Sequence, residues 1–141
     1  MSNAQQQYLF GDEHVRRYRE TDGEEGHIWR EGSTILLLTT AGRRTGNETT
    51  VPLIYGLDGD NPVIVASKGG APDHPGWFKN LVKTPEAEVQ ILDRHAPVRA
   101  REAEGEERTR LWQQMNRMWP HYDEYQEKTE RRIPVVVLEP A

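Results

Sequence analysis

The feature that most constrains this chain is residues 34–56, in which two apolar stretches flank a short basic turn. Residues 34–40 are rich in leucine and threonine, and residues 49–55 return through β-branched and apolar side chains. The segment between them, GRRTG, has a glycine at each end. Two such stretches joined by a short glycine-containing loop predict a β-hairpin. The rest of the chain must then pack around this hairpin.

Two adjacent arginines stand on the turn of the hairpin, in a chain whose formal net charge is −5. Arginine offers a planar donor fork that suits carboxylate and phosphate, and glycine lets backbone N–H groups approach an anion closely. Arg43, Arg44 and Thr45 are therefore candidates for binding the anionic end of a cofactor. The same residues are equally typical of a solvated turn that is basic for solubility.

A second candidate anion site lies at the end of residues 62–67, an apolar stretch that predicts a buried strand. It leads into Ser67, Lys68 and two glycines, and a helix is predicted for residues 75–84 with Pro75 in its first turn. Backbone donors and an ammonium group near a helix N-terminus favour a phosphate or another anion. The alternative is a connection that needs glycine for a positive φ, with Lys68 merely exposed. Two such loops in one chain favour an extended anionic ligand.

Aromatic residues recur every third position across Pro120, at Trp119, Tyr122 and Tyr125. Such a cluster is typical of a helix packed on a core. A buried tyrosine hydroxyl needs a partner, however, and it can donate a proton or orient a carbonyl. The two tyrosines are therefore candidates for either role.

The residue patterns in the rest of the chain predict further strands and several helices. The predicted strands are the two of the hairpin and residues 62–67, 87–91, 98–104 and 133–140. Helical patterns cover residues 12–20, 75–84 and 105–119 and a short segment after Pro120. About six mostly antiparallel strands with peripheral helices predict an α+β, mainly β, barrel. At 141 residues we expect one domain over residues 11–141, preceded by a flexible lead at residues 1–10.

Composition excludes several classes of function. The net charge of −5 disfavours a protein that binds nucleic acid by neutralising phosphates. With no cysteine and no metal-ligand spacing among five histidines, neither a thiol nucleophile nor a metal site is expected. Ser67 is outside any G-x-S-x-G motif, so a bound cofactor would have to perform the difficult chemical step. No apolar stretch approaches the roughly 18–20 residues of a membrane-spanning helix, and no signal-peptide pattern is present, so a cytoplasmic protein is expected.

Several ordered motifs resemble the deazaflavin-dependent nitroreductase family, which includes the F420H2-dependent quinone reductases. They are LLLTTAGRRTG, TVPL, VASKGG, HPGWFKNL with TPEAEVQI, and YDEYQEKTERRIPVVVLEP. The resemblance runs from about residue 11 to residue 140. It implies a split β-barrel related to FMN-binding barrels.

The resemblance also implies coenzyme F420 (8-hydroxy-5-deazaflavin) as cofactor, with its phosphate and glutamate tail at Arg43, Arg44 and Thr45. Further cofactor-binding residues would be Thr49, Thr50, Val51, Pro52, Leu53 and Ile54 in the hairpin and Val65, Ala66, Ser67 and Lys68 opposite. Those at the helix start would be Gly76, Trp77, Phe78, Lys79 and Asn80. Tyr122 would lie near the deazaflavin ring, with Ser67 and Tyr125 around the acceptor pocket, so these three are the catalytic candidates.

The activity implied by the resemblance is hydride transfer from F420H2 to an organic acceptor, a quinone first and nitroaromatic compounds second. Ile54 and Trp119 stand where nitroimidazole-activating members carry tyrosine, which disfavours nitroimidazole reduction. Two alternatives stay open, an FMN-binding split-barrel oxidoreductase and a non-catalytic F420 carrier or sensor. Because quinones reside in membranes, contact with the inner face of the cell membrane is a further hypothesis, for which Tyr8, Leu9 and Phe10 are the apolar candidates. The sequence sets no oligomeric state.

Overall fold

The computed structural model describes residues 8–141, which form seven strands and four α-helices. The strands are β1 (Ile35–Ala41), β2 (Glu48–Ile54), β3 (Gly56–Asp58), β4 (Asn61–Val65), β5 (Glu86–Ile91), β6 (Arg94–Glu102) and β7 (Val135–Pro140). The helices are α1 (Gly11–Glu20), α2 (Gly76–Lys83), α3 (Gly105–Met118) and α4 (His121–Glu127). Of the flexible lead predicted for residues 1–10, positions 1–7 lie outside the described residues.

The predicted hairpin is confirmed as β1 and β2, which pair antiparallel from Ile35 opposite Ile54 to Ala41 opposite Glu48. β2 is an edge strand of the sheet, and this explains how it accommodates Pro52, which has no N–H to donate. The apolar side chains of β1 are almost fully buried, with Leu36 and Leu38 on one face and Leu37 on the other. The hairpin is therefore covered on both faces.

A single residue closes the sheet into a barrel. The strand order is β2-β1-β5-β6-β7-β4-β3, and every pairing is antiparallel, so β2 and β3 are opposite edges. Yet β2 ends at Ile54 and β3 begins at Gly56, with only Tyr55 between them. The two edges must therefore meet at Tyr55, whose N–H donates to the Thr34 carbonyl at 3.0 Å. From that point β2 and β4 separate, which leaves the barrel split along one side.

Three groups of buried apolar side chains hold the fold together. One fills the barrel and includes Leu36, Ile64 and Leu138. The second lies between the outer face of the sheet and α3 and α4, and the third lies between α1 and β1. Fully burying a large apolar side chain contributes about 1.5–3 kcal/mol, so these layers fix the positions of α3 and α4 on the barrel. Among residues 8–141, no helix is long and apolar enough to cross a bilayer.

The structure differs from the prediction at two strands. β3 lies in a segment for which no strand was predicted, because its three residues adjoin the turn formers at positions 58–62. It pairs with β4 through a two-residue connection. β6 begins at Arg94, although the return strand was predicted from residue 98, because Leu92 at φ +56° makes a tight turn with Asp93. The α+β barrel with peripheral helices is confirmed, with seven strands where about six were predicted.

Candidate active site

A cleft with a volume of about 500 Å³ opens where the barrel is split. One wall is residues 51–54 of β2, and the facing wall is Val65 at the end of β4 with Ser67 and Lys68 beyond it. Trp77 of α2 lines one end, and aromatic residues from the α3–α4 region line the side. The cleft therefore owes its existence to the separation of β2 from β4 beyond Tyr55.

The aromatic side of the cleft is built from residues that bracket the break between α3 and α4. The Tyr122 and Tyr125 rings meet edge to face, with centroids 6.1 Å apart. The Trp119 Nε1–H donates to the Tyr125 hydroxyl at 3.4 Å, and the Trp119 ring packs against Trp29 at 5.7 Å. Pro120 ends α3 and starts α4, so the three aromatic residues face the same side across the break.

The Tyr122 hydroxyl is a polar group of this wall that is available to a ligand. The side chain is only 4% exposed, and within residues 8–141 no group hydrogen-bonds its hydroxyl. In the described part of the chain, every side-chain polar atom that solvent cannot reach has a hydrogen-bond partner. The Tyr122 hydroxyl has no partner there, so it must be accessible, and its side chain lines the cleft. Burial, and then the neighbouring Tyr125, raises the pKa of Tyr122. The phenol therefore stays protonated and can donate a hydrogen bond into the cleft.

Residues 67–71 after β4 form a single tight turn, the 67–71 turn, whose Ser67 and Lys68 line the cleft. Lys68, Gly69 and Gly70 all have positive φ, at +47°, +63° and +86°. Gly70 is packed so closely that a Cβ there would lie 2.7 Å from the Tyr125 carbonyl oxygen. Glycine is needed at position 70 because of its positive φ and because a side chain would clash with α4. This close packing fixes the turn against α4.

The basic tip, residues 42–46, lies against α2. The Arg43 backbone N–H and its Nη1 both donate to Asn80 Oδ1 at 3.1 Å, and Nη1 also reaches the Gly76 carbonyl at 3.5 Å. Asn80 is buried and donates from Nδ2 to Thr40 at 3.0 Å, and Lys83 Nζ donates to the Arg43 carbonyl at 2.7 Å. These bonds join the tip of the hairpin to both ends of α2.

The positive charge of the tip is not neutralised by the described part of the chain. The acceptors of Arg43 are an amide and a backbone carbonyl, and within residues 8–141 neither Arg43 nor Arg44 pairs with a carboxylate. Arg44 is exposed, whereas nearby Lys79 forms an ion pair with Asp73 at 2.6 Å. Two guanidinium groups without a carboxylate partner in the described chain, one of them bonded to the first residue of α2, favour an anion at this place.

The cleft and the basic tip are adjacent. Pro75 and Trp77 both line the cleft, and between them Gly76 accepts the bond from Arg43. A ligand that fills the cleft can therefore extend along the start of α2 to the guanidinium groups. Such a ligand would have a mainly apolar body and an anionic tail.

The structure brings most of the predicted residues to these two places. Those that line the cleft are Val51, Pro52, Leu53, Ile54, Val65, Ser67, Lys68, Trp77, Tyr122 and Tyr125. Those at the tip or bonded to it are Arg43, Arg44, Thr45, Gly76 and Asn80, whereas Lys79 of α2 pairs with Asp73. Ala66 and Phe78 are buried inside the barrel, and Thr49 is exposed near the start of β2. Thr50 turns away from the cleft, since its hydroxyl bonds to Thr39 and Arg19 at 2.8 Å.

The cleft also contains residues that the sequence did not indicate. Trp29 and Phe10 line it, and Trp29 Nε1 donates to the Leu9 carbonyl at 2.9 Å, which holds the start of the described chain over the cleft. His14 is buried at the cleft and its Nε2 donates to the Gly26 carbonyl at 2.9 Å. No local spacing relates these N-terminal residues to α4, so no signal in the sequence could have grouped them.

The chain is similar to known proteins over most of its length. The family model for F420H(2)-dependent quinone reductase matches residues 11–140. The chain is 41% identical over 128 residues to the F420H(2)-dependent quinone reductase Rv1261c of Mycobacterium tuberculosis, which covers 89% of this chain and 86% of that protein. The solved structure of an F420-H2 dependent reductase, FDR-A, is 43% identical, with a TM-score of 0.70 over 74% of this chain and 93% of its own.

A more distant structure shares the fold alone. HutZ, the heme storage protein from Vibrio cholerae, is 13% identical, with a TM-score of 0.59 over 94% of this chain and 92% of its own. The predicted split-barrel class is confirmed by these likenesses. On the family model and on the identity to its named members, this chain belongs to the F420H(2)-dependent quinone reductase family.

Proposed function

We propose that this protein is an oxidoreductase that passes a hydride from reduced coenzyme F420 to a quinone. The observation that carries the proposal is the Tyr122 hydroxyl, which burial keeps protonated, which has no hydrogen-bond partner within residues 8–141, and which belongs to a side chain that lines the cleft. A donor in that position can bind a carbonyl oxygen and protonate it. Membership of the family supplies the identity of the reductant.

The residues present suit the cofactor. Residues 51–54 and Val65 offer a narrow, mostly apolar space for a flat ring system, and the unpaired Arg43 and Arg44 suit a phosphate and carboxylate tail. Lys68, which lines the cleft, adds a further cation. When bound, the reduced deazaflavin supplies a hydride. These side chains bind the ring and tail and exclude water from the cleft.

The acceptor would be oriented by the polar groups of the aromatic wall and the 67–71 turn. Reduction of a quinone leaves negative charge on its oxygen atoms, and the Tyr122 phenol can donate a hydrogen bond and then a proton to one of them. Tyr125 is held in place because its hydroxyl accepts from Trp119, and Ser67 lines the opposite wall. Both can orient the second oxygen.

A quinone suits the cleft better than a nitro compound. Ile54 lines the cleft and offers no hydroxyl, and Trp119 uses its N–H on Tyr125. Fewer donors are then free to hold the two oxygens of a nitro group. The proposal includes access of a lipid-soluble acceptor from the inner face of the membrane past Phe10, which is 60% exposed and also lines the cleft.

Fluorescence titration with F420 and with FMN tests the choice of cofactor. Trp29, Trp77 and Trp119 line the cleft, and the fourth tryptophan, Trp112, packs against Tyr122 at 6.2 Å. We expect F420 to quench tryptophan emission saturably and at lower concentration than FMN, because only F420 has a tail long enough to reach the basic tip. Tighter binding of FMN would support the FMN-dependent alternative. Tight F420 binding without turnover of any quinone would support the carrier alternative.

A further inference from the structure

Arg131 is bound to one turn of the cleft wall by all three of its guanidinium nitrogens. Its Nη2 donates to the Ser67 carbonyl at 2.7 Å, its Nε to the Ala71 carbonyl at 2.8 Å and its Nη1 to the Ala66 carbonyl at 3.1 Å. The Nη1 group also donates to His74 Nδ1 at 3.1 Å. One side chain thus holds both ends of the 67–71 turn.

It is unusual for a half-buried arginine to bond only to neutral acceptors. Arg131 is half-buried, and burial lowers its pKa, yet every acceptor it reaches in the described chain is a neutral carbonyl or imidazole. Arginine stays charged nonetheless, and its rigid fork can serve several acceptors at once, which the single ammonium of lysine cannot do. The arrangement is therefore suited to fixing the shape of a loop.

Helix α4 holds the 67–71 turn from its other side. The Tyr125 carbonyl of α4 is so close to Gly70 that no Cβ would fit between them. Gln126 of α4 fixes the backbone that follows, because its Nε2 donates to the Arg131 carbonyl at 2.8 Å and its Oε1 accepts from the Ile133 N–H at 3.0 Å. The 67–71 turn is therefore clamped between α4 and Arg131.

We propose that Arg131 is a positioning residue of the cleft, which sets the distance between the 67–71 turn and the tyrosines of α4. The inference rests on the proposed function, since Ser67 on the turn and Tyr122 on α4 are the groups that would hold the acceptor between them. Arg131 contacts the backbone of the turn and acts through it. A displacement of about 1 Å in such a site can cost roughly 10²-fold in rate.

Arg131→Gln and Arg131→Lys test the proposal, with Arg132→Gln as the matched control because Arg132 is the exposed neighbour with the same charge. The first measurement is amide hydrogen exchange. The Gly70 N–H donates to Ser67 and the Ala71 N–H to Lys68 within the turn, so both amides should exchange at least about tenfold faster in the Arg131 variants. The amides of β4 and β7 should change much less, and the melting temperature should fall only slightly, because three backbone carbonyls lose a donor.

The second measurement separates cofactor binding from turnover. In both Arg131 variants we expect kcat with a soluble quinone to fall about tenfold or more. The Kd of F420 should rise by a smaller factor than kcat falls, because Lys68 moves with the turn but the basic tip is untouched. Arg132→Gln should change neither quantity. Unchanged exchange at Gly70 and Ala71 would overturn the proposal, and so would faster exchange with unchanged kcat. If the wild-type protein reduced no quinone, the proposed function would fail, and the exchange rates alone would then decide whether Arg131 holds the turn.

Discussion

Replacing Tyr122 with phenylalanine is expected to lower the turnover of a soluble quinone by roughly 10²-fold, within the range of about 10²–10⁴ typical of general-acid catalysis. The change keeps the ring, which is buried in the layer between the sheet and α3 and α4, and removes only the hydroxyl. That hydroxyl has no partner within residues 8–141, so its loss leaves no buried group unsatisfied. Stability and F420 affinity should therefore change little while kcat falls.

Tyr125→Phe is the matched comparison. The Tyr125 hydroxyl accepts a hydrogen bond from Trp119, so its removal disturbs the aromatic wall without removing the unpartnered donor. We expect a loss of turnover for Tyr125→Phe that is smaller than that of Tyr122→Phe. Full activity in Tyr122→Phe would mean that solvent supplies the proton and that the ring serves only for packing.

The pH dependence of kcat supports the same test. Because burial raises the pKa of Tyr122 above its ordinary value of about 10, the phenol remains protonated across the neutral and mildly alkaline range. The wild-type enzyme should then lose no turnover to deprotonation of this group between about pH 7 and pH 9.5. A loss that appears in this range and disappears in Tyr122→Phe would contradict the assigned direction.

Removing both guanidinium groups of the basic tip should have the largest effect on cofactor binding. Each charge-assisted hydrogen bond contributes about 1.5–3 kcal/mol before non-additivity, so Arg43→Ala with Arg44→Ala should weaken F420 binding at least tenfold. Turnover at saturating F420 should be nearly preserved, because the tip lies outside the lining of the cleft. Fluorescence titration measures the change in Kd.

The single variants should differ in stability. Arg44 is exposed, and Arg44→Ala should leave the melting temperature unchanged. Arg43 is bonded to Asn80 and Gly76, so Arg43→Ala should also lower the melting temperature slightly. Arg117→Ala, an equal charge change at an exposed position of α3, is the control. If the double variant bound F420 as tightly as the wild type does, the tip would be a solvated turn.

The parts of the fold that local patterns govern could be predicted from the sequence. The β1–β2 hairpin follows from a glycine-bounded turn between two apolar stretches, and α3 follows from a face that carries Leu111 and Met115. β3 could not be predicted, because three residues are too few to show a period and turn formers adjoin them. The closure of the barrel at Tyr55 could not be predicted either, since it depends on which strands pair.

The candidate site, like the fold, was only partly predictable from the sequence. The sequence indicated the basic tip and the 67–71 turn because glycine and cationic residues lie together within a few positions. Trp29 and Arg131 are distant in sequence from the residues they contact. Trp29 packs on Trp119, and Arg131 donates to the Ser67 carbonyl. Contacts across such separations exist only after the barrel has formed, and periodicity carries no information about them.

Anaerobic turnover is the measurement that tests the central claim most directly. Purified protein is mixed with F420H2 and a soluble quinone, and oxidation of the cofactor is followed by the return of its visible absorbance, with FMNH2 as the parallel reductant. We predict that F420H2 is oxidised at a rate proportional to enzyme and saturable in both reactants, and that FMNH2 supports little or no catalysed rate. Oxidation of F420H2 no faster than in the absence of protein, or catalysis with FMNH2 alone, would contradict this account.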